Sequence, residues 1–148
     1  MRARELILME NDLTSDEQAL RQTLLDYVNH MNNGDFDKWI SIWSKEAVQM
    51  PPYAPALIGI DIIRKAMKPV FEKNKIEIKI KEINEVLVHQ EVGLTRCEFA
   101  LTLVDRNGKR IPLYPEGKTL TIYARQKDGS WKITHDCSNL STRRRIIT

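Results

Sequence analysis

His135 and Asp136, adjacent near the C-terminal end, are the strongest acid–base candidates in the chain. An imidazole moves protons near neutral pH, and a carboxylate does so once burial raises its pKa. Neighbours on an extended strand point to opposite faces, so only one of the pair can enter a site. If Trp131 and Ile133 face inward, His135 follows them and Asp136 faces away; a bulge reverses this. The plainer alternative is a satisfied histidine at a pocket edge and a carboxylate paired to a neighbouring Lys or Arg. Tyr27 lies on an apolar helical stripe, where its ring can pack and its hydroxyl can donate to a ligand carbonyl. Trp43, Met50, Tyr53, Phe99 and Trp131 are candidates for an aromatic pocket wall, with Trp39 read as core. Lys118, Arg125, Lys132 and Arg96 read as a solvated or dimer-facing charge ladder on paired strands. An inward Arg among them would point to an anionic substrate.

Other chemistries lack their residues. There is no phosphate-binding loop, dinucleotide fingerprint, zinc-ligand spacing or nucleophile elbow. His30, His89 and His135 have no metal-ligand spacing, and Cys97 and Cys137 read as two buried thiols. No metal and no cofactor is therefore expected. The 148 residues carry 23 basic and 20 acidic side chains, a net charge of +3. That is too weak for nucleic acid without a basic stripe, and Arg143-Arg144-Arg145 alone reads as solvated. The apolar run Leu6-Ile7-Leu8-Met9 is too short for an export signal or a membrane span, so a soluble cytoplasmic protein is expected.

These candidates need elements to position them. Residues 1–14 read as an arm, 15–140 as one domain and 141–148 as a basic tail. Ser15 to Gln18 reads as a capping box. Behind it Leu20, Leu24, Tyr27, Val28 and Met31 form one helical stripe, which Asn32-Asn33-Gly34 ends. Asp35 should cap a second helix burying Phe36, Trp39, Ile40 and Trp43. A stiff loop with three prolines, Pro51 to Pro55, follows a short strand over 46–50. A third stripe runs from Ile62 to Phe71, with Pro69 expected to kink or shorten it. From Ile76 onward the period becomes that of strands, with a bulge expected near Lys81-Glu82. Asn107-Gly108 suits a turn with positive φ at both residues, and Lys127 to Ser130 a second hairpin. Helices followed by long strands mean α+β: three N-terminal helices on a strongly curved antiparallel sheet, a cone with a central pocket.

The arrangement and several local stretches resemble the nuclear transport factor 2-like superfamily, closest to its SnoaL-like, ketosteroid isomerase-like branch. The matching stretches are Tyr27 to Asp35, Val48 to Pro52 and Ile58-Gly59. Gly117 to Gln126, Asp128 to Ile133, Asp136 and Asn139 complete the match. The resemblance implies a cystatin-like α+β roll, a homodimer through the open sheet face, and Tyr27 as a ligand hydrogen-bond donor. Asn139 and Ile122 fall at expected pocket positions. The departures are as informative. The Asp base of ketosteroid isomerases would stand where Pro51 is, and the acid partner of Tyr27 would fall near Ile122. Ser138 replaces a Trp common in relatives, which implies a roomier or wetter pocket.

Three readings follow. One is a cofactor-free isomerase, cyclase, hydrolase or dehydratase acting on a mainly apolar substrate. The second is a non-catalytic binder of a small hydrophobic or aromatic ligand. The third is a dimeric association domain with an incidental cavity. A titratable group inside the pocket distinguishes the first from the others.

Overall fold

The computed structural model describes residues 13–142. The Arg143–Arg145 tail, and the expected arm up to residue 12, lie outside the described residues. Helix α1 spans Ser15–Asn32 and α2 spans Phe36–Ser41. The capping box of α1 falls one residue earlier than expected. Thr14 Oγ1 accepts the Glu17 N–H at 3.2 Å, and Glu17 Oε2 accepts the Thr14 N–H at 3.3 Å. The alternative partner, Gln18, instead donates to the Leu13 carbonyl at 3.1 Å. A carboxylate is the better acceptor at a positive helix end, which favours Glu17 in that role. Gly34, at φ 67°, ends α1, and the Asp35 N–H donates back to His30 O. Asp35 caps α2, accepting the Lys38 N–H at 3.1 Å. That helix stops at Ser41, so Trp43 opens strand β1 (Trp43–Met50) rather than completing a helical face.

Strand β2 (Leu57–Ile58) and helix α3 (Ile60–Lys73) follow the proline loop. Pro69 does not shorten α3, which runs on to Lys73. Ile63 is fully buried, and Met67, Val70 and Phe71 pack on the core, so tertiary contacts hold the turn whose donor Pro69 lacks. Strands β3 (Asn74–His89), β4 (Val92–Asp105), β5 (Arg110–Arg125) and β6 (Trp131–Leu140) complete a six-stranded sheet ordered β2-β1-β6-β5-β4-β3. Its pairs are antiparallel except β1–β6, which is parallel, so the sheet is mixed. Short hairpins force β3 to β6 to alternate in direction. Nothing local links β1 to β6, which leaves that pair free to be parallel.

The turn after Asp105 also differs from expectation. Gly108 has φ 78° while Asn107 does not enter the left-handed region. Asp105 Oδ1 accepts the N–H groups of Asn107 and Lys109, both at 2.9 Å, which holds a tight turn that only Gly108 leaves. The bulge expected near Lys81-Glu82 is a register shift between Ile80 and Glu82, and a second lies between Ile83 and Glu85. Further shifts in β4–β5 and β5–β6 curl the sheet around the helices.

Trp39 is the hub of the core. It is fully buried, with ring centroids 5.6 Å from Tyr27, 5.3 Å from Trp43 and 5.3 Å from Phe71. Two polar clamps fix α1 over the sheet. At its start, Arg125 reaches both carboxylate oxygens of Asp16 at 2.9 and 2.8 Å, while its guanidinium lies 4.6 Å over the Trp131 ring. Arg125 therefore leaves the expected charge ladder to tie helix to sheet. At the other end of α1, Asn32 imitates a strand. Its Nδ2 donates to Ile78 O at 2.9 Å and its Oδ1 accepts the Ile78 N–H at 2.7 Å. This closes the outer edge of β3 where the helix crosses it.

Replacing Asn32 leaves both Ile78 groups without partners. Asn32→Ala should cost about 1–3 kcal/mol, read as a lower urea midpoint with an unchanged slope. A midpoint equal to wild type would show that the clamp contributes nothing.

Candidate functional site

Helices α1 and α3 cover the concave face of the sheet and leave a cavity of about 180 Å³. Most of its wall is apolar, with Ile76, Ile78, Phe99 and Leu101 from the sheet and Leu24 and Met67 from the helices. One polar row crosses the concave face. Gln49 on β1 is in register with Asp136 on β6, Asp136 with Thr121 on β5, and Thr121 with Thr95 on β4. A second row carries Ser138, Thr119 and Cys97. Thr121 and Thr119 both donate to Asp136 Oδ1, at 2.7 and 3.0 Å. Asp136 Oδ2 receives no protein hydrogen bond among the described residues. Asp136 is 8% exposed, and among the described residues no Lys, Arg or His lines the cavity.

A single extra residue brings Asp136 inward. On β6, Ile133 pairs with Tyr123 and His135 pairs with Ile122, so Thr134 is inserted between them. Its hydroxyl donates to Ile122 O at 3.2 Å. Trp131 and Ile133 face the core before the bulge, and the phase reverses after it. His135 is turned outward, exposed, with Nδ1 3.1 Å from Thr134 Oγ1. The assignment drawn from plain alternation is thus corrected: Asp136 enters the cavity and His135 does not.

Burial sets the electrostatics. It pushes the Asp136 carboxyl above its ordinary value, and the two threonine hydroxyls act against the rise. Tyr27 is raised well above the usual phenol value, first by burial and then by the negative charge of Asp136, with the Trp39 indole opposing. Tyr123 is raised by burial, which its hydrogen bond to Thr95 at 3.0 Å opposes and the Asp136 charge reinforces. The Cys97 thiol is pushed up to about 12, by burial first and Asp136 second. At neutral pH it is a protonated wall residue and no nucleophile. The phenols stay protonated and remain hydrogen-bond donors.

Of the sequence-based site residues, Asp136, Tyr27 and Phe99 line the cavity. The others do not. Trp43 and Trp131 are buried in the core beside it. Met50 and Ile122 lie on the outer side of the sheet, and Asn139 is exposed. Tyr53 is 69% exposed at φ 58°, so the proline loop turns its ring away while Pro51 and Pro52 form the wall. Each aromatic was assigned by residue type, whereas alternation with bulges decides which face it occupies. Cys137 is likewise only part-buried, on the face opposite Cys97. Sequence reasoning missed Thr119, Thr121, Tyr123 and Gln49. The signal for three of them was present: polar residues at every second position of β5 mark one face. Ser138 does line the cavity, in the place where many relatives have a bulky Trp. Among the described residues no group of three or more His, Cys, Asp or Glu is placed to hold a metal.

A curled sheet capped by helices, with a carboxylate-bearing cavity, defines an α+β roll of the nuclear transport factor 2-like class. The chain belongs to the SnoaL-like family, whose domain model matches residues 20–140. No curated protein matches it. Among solved structures it is similar to a ketosteroid isomerase-like protein from Erwinia carotovora atroseptica, with 20% identity and TM-score 0.72, covering 88% of this chain and 100% of that one. A candidate dehydratase of the NTF2-like family from Streptomyces avermitilis has 16% identity and TM-score 0.77, covering 87% and 98%. A candidate calcium/calmodulin-dependent protein kinase II association domain from Xanthomonas campestris has 19% identity and TM-score 0.69, covering 86% of each chain.

The raised carboxyl of Asp136 has a consequence for stability. In the unfolded chain it ionises near 3.8, while the fold retains its proton to higher pH. Its contribution is fully present below 3.8 and is lost as pH rises through the folded value. Asp136→Asn keeps an acceptor for the threonines and removes this loss. The variant should melt roughly a few degrees above wild type at pH 8, with the gap closing toward pH 4. An equal gap at both pH values, by scanning calorimetry, would count against a perturbed carboxyl.

Proposed function

We propose that the protein is a small-molecule pocket enzyme that performs acid–base chemistry without a cofactor on a compact, mainly apolar substrate. Isomerisation, cyclisation, hydrolysis and dehydration are the reactions this arrangement suits. One observation carries the reading: a buried carboxylate, Asp136, stands in a cavity wall whose other described residues are apolar or carry phenol, hydroxyl, thiol or amide groups. Asp136 Oδ2 gives or takes the proton, and Thr119 and Thr121 hold Oδ1 so that Oδ2 meets the substrate. Tyr27 donates to a substrate oxygen as charge develops on it. His135 has no part in the reaction. SnoaL-like membership supports the reading, as does the similarity to a candidate dehydratase. Steroid isomerisation is disfavoured because Pro51, in the cavity wall, occupies the expected base position.

Proton exchange tests this without knowledge of the natural substrate. Cyclic ketones and enones incubated with the protein in deuterated water should lose their α-proton signals in NMR spectra. Asp136→Asn should slow the exchange about 100-fold and Tyr27→Phe about tenfold, with His135→Ala unchanged. Exchange at the wild-type rate in Asp136→Asn would remove that residue from the mechanism.

A second part of the reading concerns the outer sheet face, where a row of apolar residues, Leu87, Leu94, Ile122, Val48 and Ile58, interrupted by His135, crosses the strands. Leu87 is 55% and Ile58 68% exposed, and Leu120, in the next row, is 42% exposed. A second copy of the chain is the proposed cover, forming a homodimer through this face. Similarity to a candidate association domain supports it. Free Cys97 and Cys137 suit the reducing cytoplasm proposed as its location. No described helix is long and apolar enough to cross a membrane. Light scattering should give a dimer mass for wild type and a monomer mass for Leu120→Lys. A monomeric wild type at high micromolar concentration would dismiss the dimer.

A further inference from the structure

We propose that the ligand of this cavity carries a protonated amine on a compact, single-ring-sized apolar body, and that Asp136 is its counter-ion. The inference rests on the acid–base reading only in taking Asp136 Oδ2 as the group that meets the ligand.

The charge inventory of the wall is one-sided. Among the described residues Asp136 is its only acidic side chain, and no Lys, Arg or His lines it. The described cations of the neighbouring strands are held away from it. Arg125 is held at the rim of the sheet by Asp16 and by Glu91 at 3.3 Å. Arg96 pairs with Glu85 at 3.3 Å and is exposed, as is Lys118. Lys132 flanks Trp131 and Ile133 on β6 and points to the face opposite theirs. A buried carboxylate normally has a positive partner. Here the described residues supply two hydroxyls to Oδ1 and nothing to Oδ2. The empty protein meets this by favouring the protonated acid; a bound cation meets it by supplying the missing charge.

The neighbouring groups fit the same head. Gln49 lines the cavity in register with Asp136, is 8% exposed, and its Oε1 has no hydrogen-bond partner. An ammonium has three donors; Asp136 and Gln49 offer acceptors from residues in register, and Tyr27, a wall residue whose phenol feels the Asp136 charge, offers a third. The rings of Tyr27, Tyr123 and Phe99 in the wall favour a cation over a neutral head. An anionic ligand meets the opposite situation, with a like charge and no cation. A volume of about 180 Å³ accommodates one substituted ring, since an apolar cavity of about 150 Å³ holds benzene.

A matched set of one-ring compounds separates the outcomes. Titration calorimetry at pH 7 with 2-phenylethylamine, 2-phenylethanol and phenylacetate should rank the amine about tenfold or more above the alcohol, with no saturable binding of the carboxylate. Asp136→Asn should bring the amine down to the level of the alcohol while the alcohol binds as before, which also shows the variant to be folded. Equal binding of amine and alcohol by wild type would overturn the assignment. So would binding of the carboxylate, or an amine preference that survives in Asp136→Asn. Toluene binding without an amine preference overturns only the charge of the ligand. Failure of all four compounds, toluene included, to bind or to raise the melting temperature would overturn both the amine and the pocket itself.

Discussion

A carboxyl group enclosed with no described cation in its cavity wall is the constraint around which this structure is arranged. Placing an ionised group in a dry interior costs several kcal/mol even after the surroundings relax. A domain of this size has total stability of only about 5–15 kcal/mol, so the cost must be offset elsewhere. Two threonines of β5 reduce it by donating to one oxygen of Asp136. The remainder falls on the aromatic hub at Trp39 and on the clamps that Asn32 and Arg125 make between α1 and the sheet. Those elements keep the helices seated over a cavity that simple collapse would fill.

How much of this was legible in the sequence depends on the range of the interaction. Helix stripes, the Asp35 cap, the stop at Gly34 and the β3 bulge are local, and each was readable from residues a few positions apart. The α+β roll followed from the order of elements. Trp43 was misplaced because a Trp fits a helical stripe and a strand equally well, and only the end of α2 at Ser41 decides. The parallel β1–β6 pair was not readable, since nothing near either strand encodes it. At the site, Asp136 and Tyr27 were found by chemical type. Thr119, Thr121 and Gln49 were not, because a threonine beside a carboxylate matters only when two strands are in register.

The comparison with ketosteroid isomerase-like relatives becomes more specific in this light. The resemblance placed the acid partner of Tyr27 near Ile122, which lies on the outer side of the sheet. The carboxyl that the cavity does hold, Asp136, stands on the adjacent strand, and its charge acts on Tyr27, Tyr123 and Cys97 together. A fold that hosts many chemistries leaves them to the residues of the cavity wall, and in this chain the wall keeps the phenol while its carboxyl comes from a different strand position.

The extra residue at Thr134 also makes the chain's numbering matter. Strand faces obey parity, and one insertion exchanges odd for even. In β6, Trp131 and Ile133 serve the interior as odd positions, while Asp136 and Ser138 serve it as even ones. Loss of Thr134 would leave the pairs of Ile133, His135 and Asp136 with β5 unbroken and the acid still inside, whereas drawing Thr134 into the regular ladder would send the acid to the outer surface and carry the imidazole of His135 indoors. The histidine and the carboxylate are thus alternative occupants of one place, and whether Thr134 stands out of the ladder or within it, more than the identity of either side chain, decides which of them the interior receives.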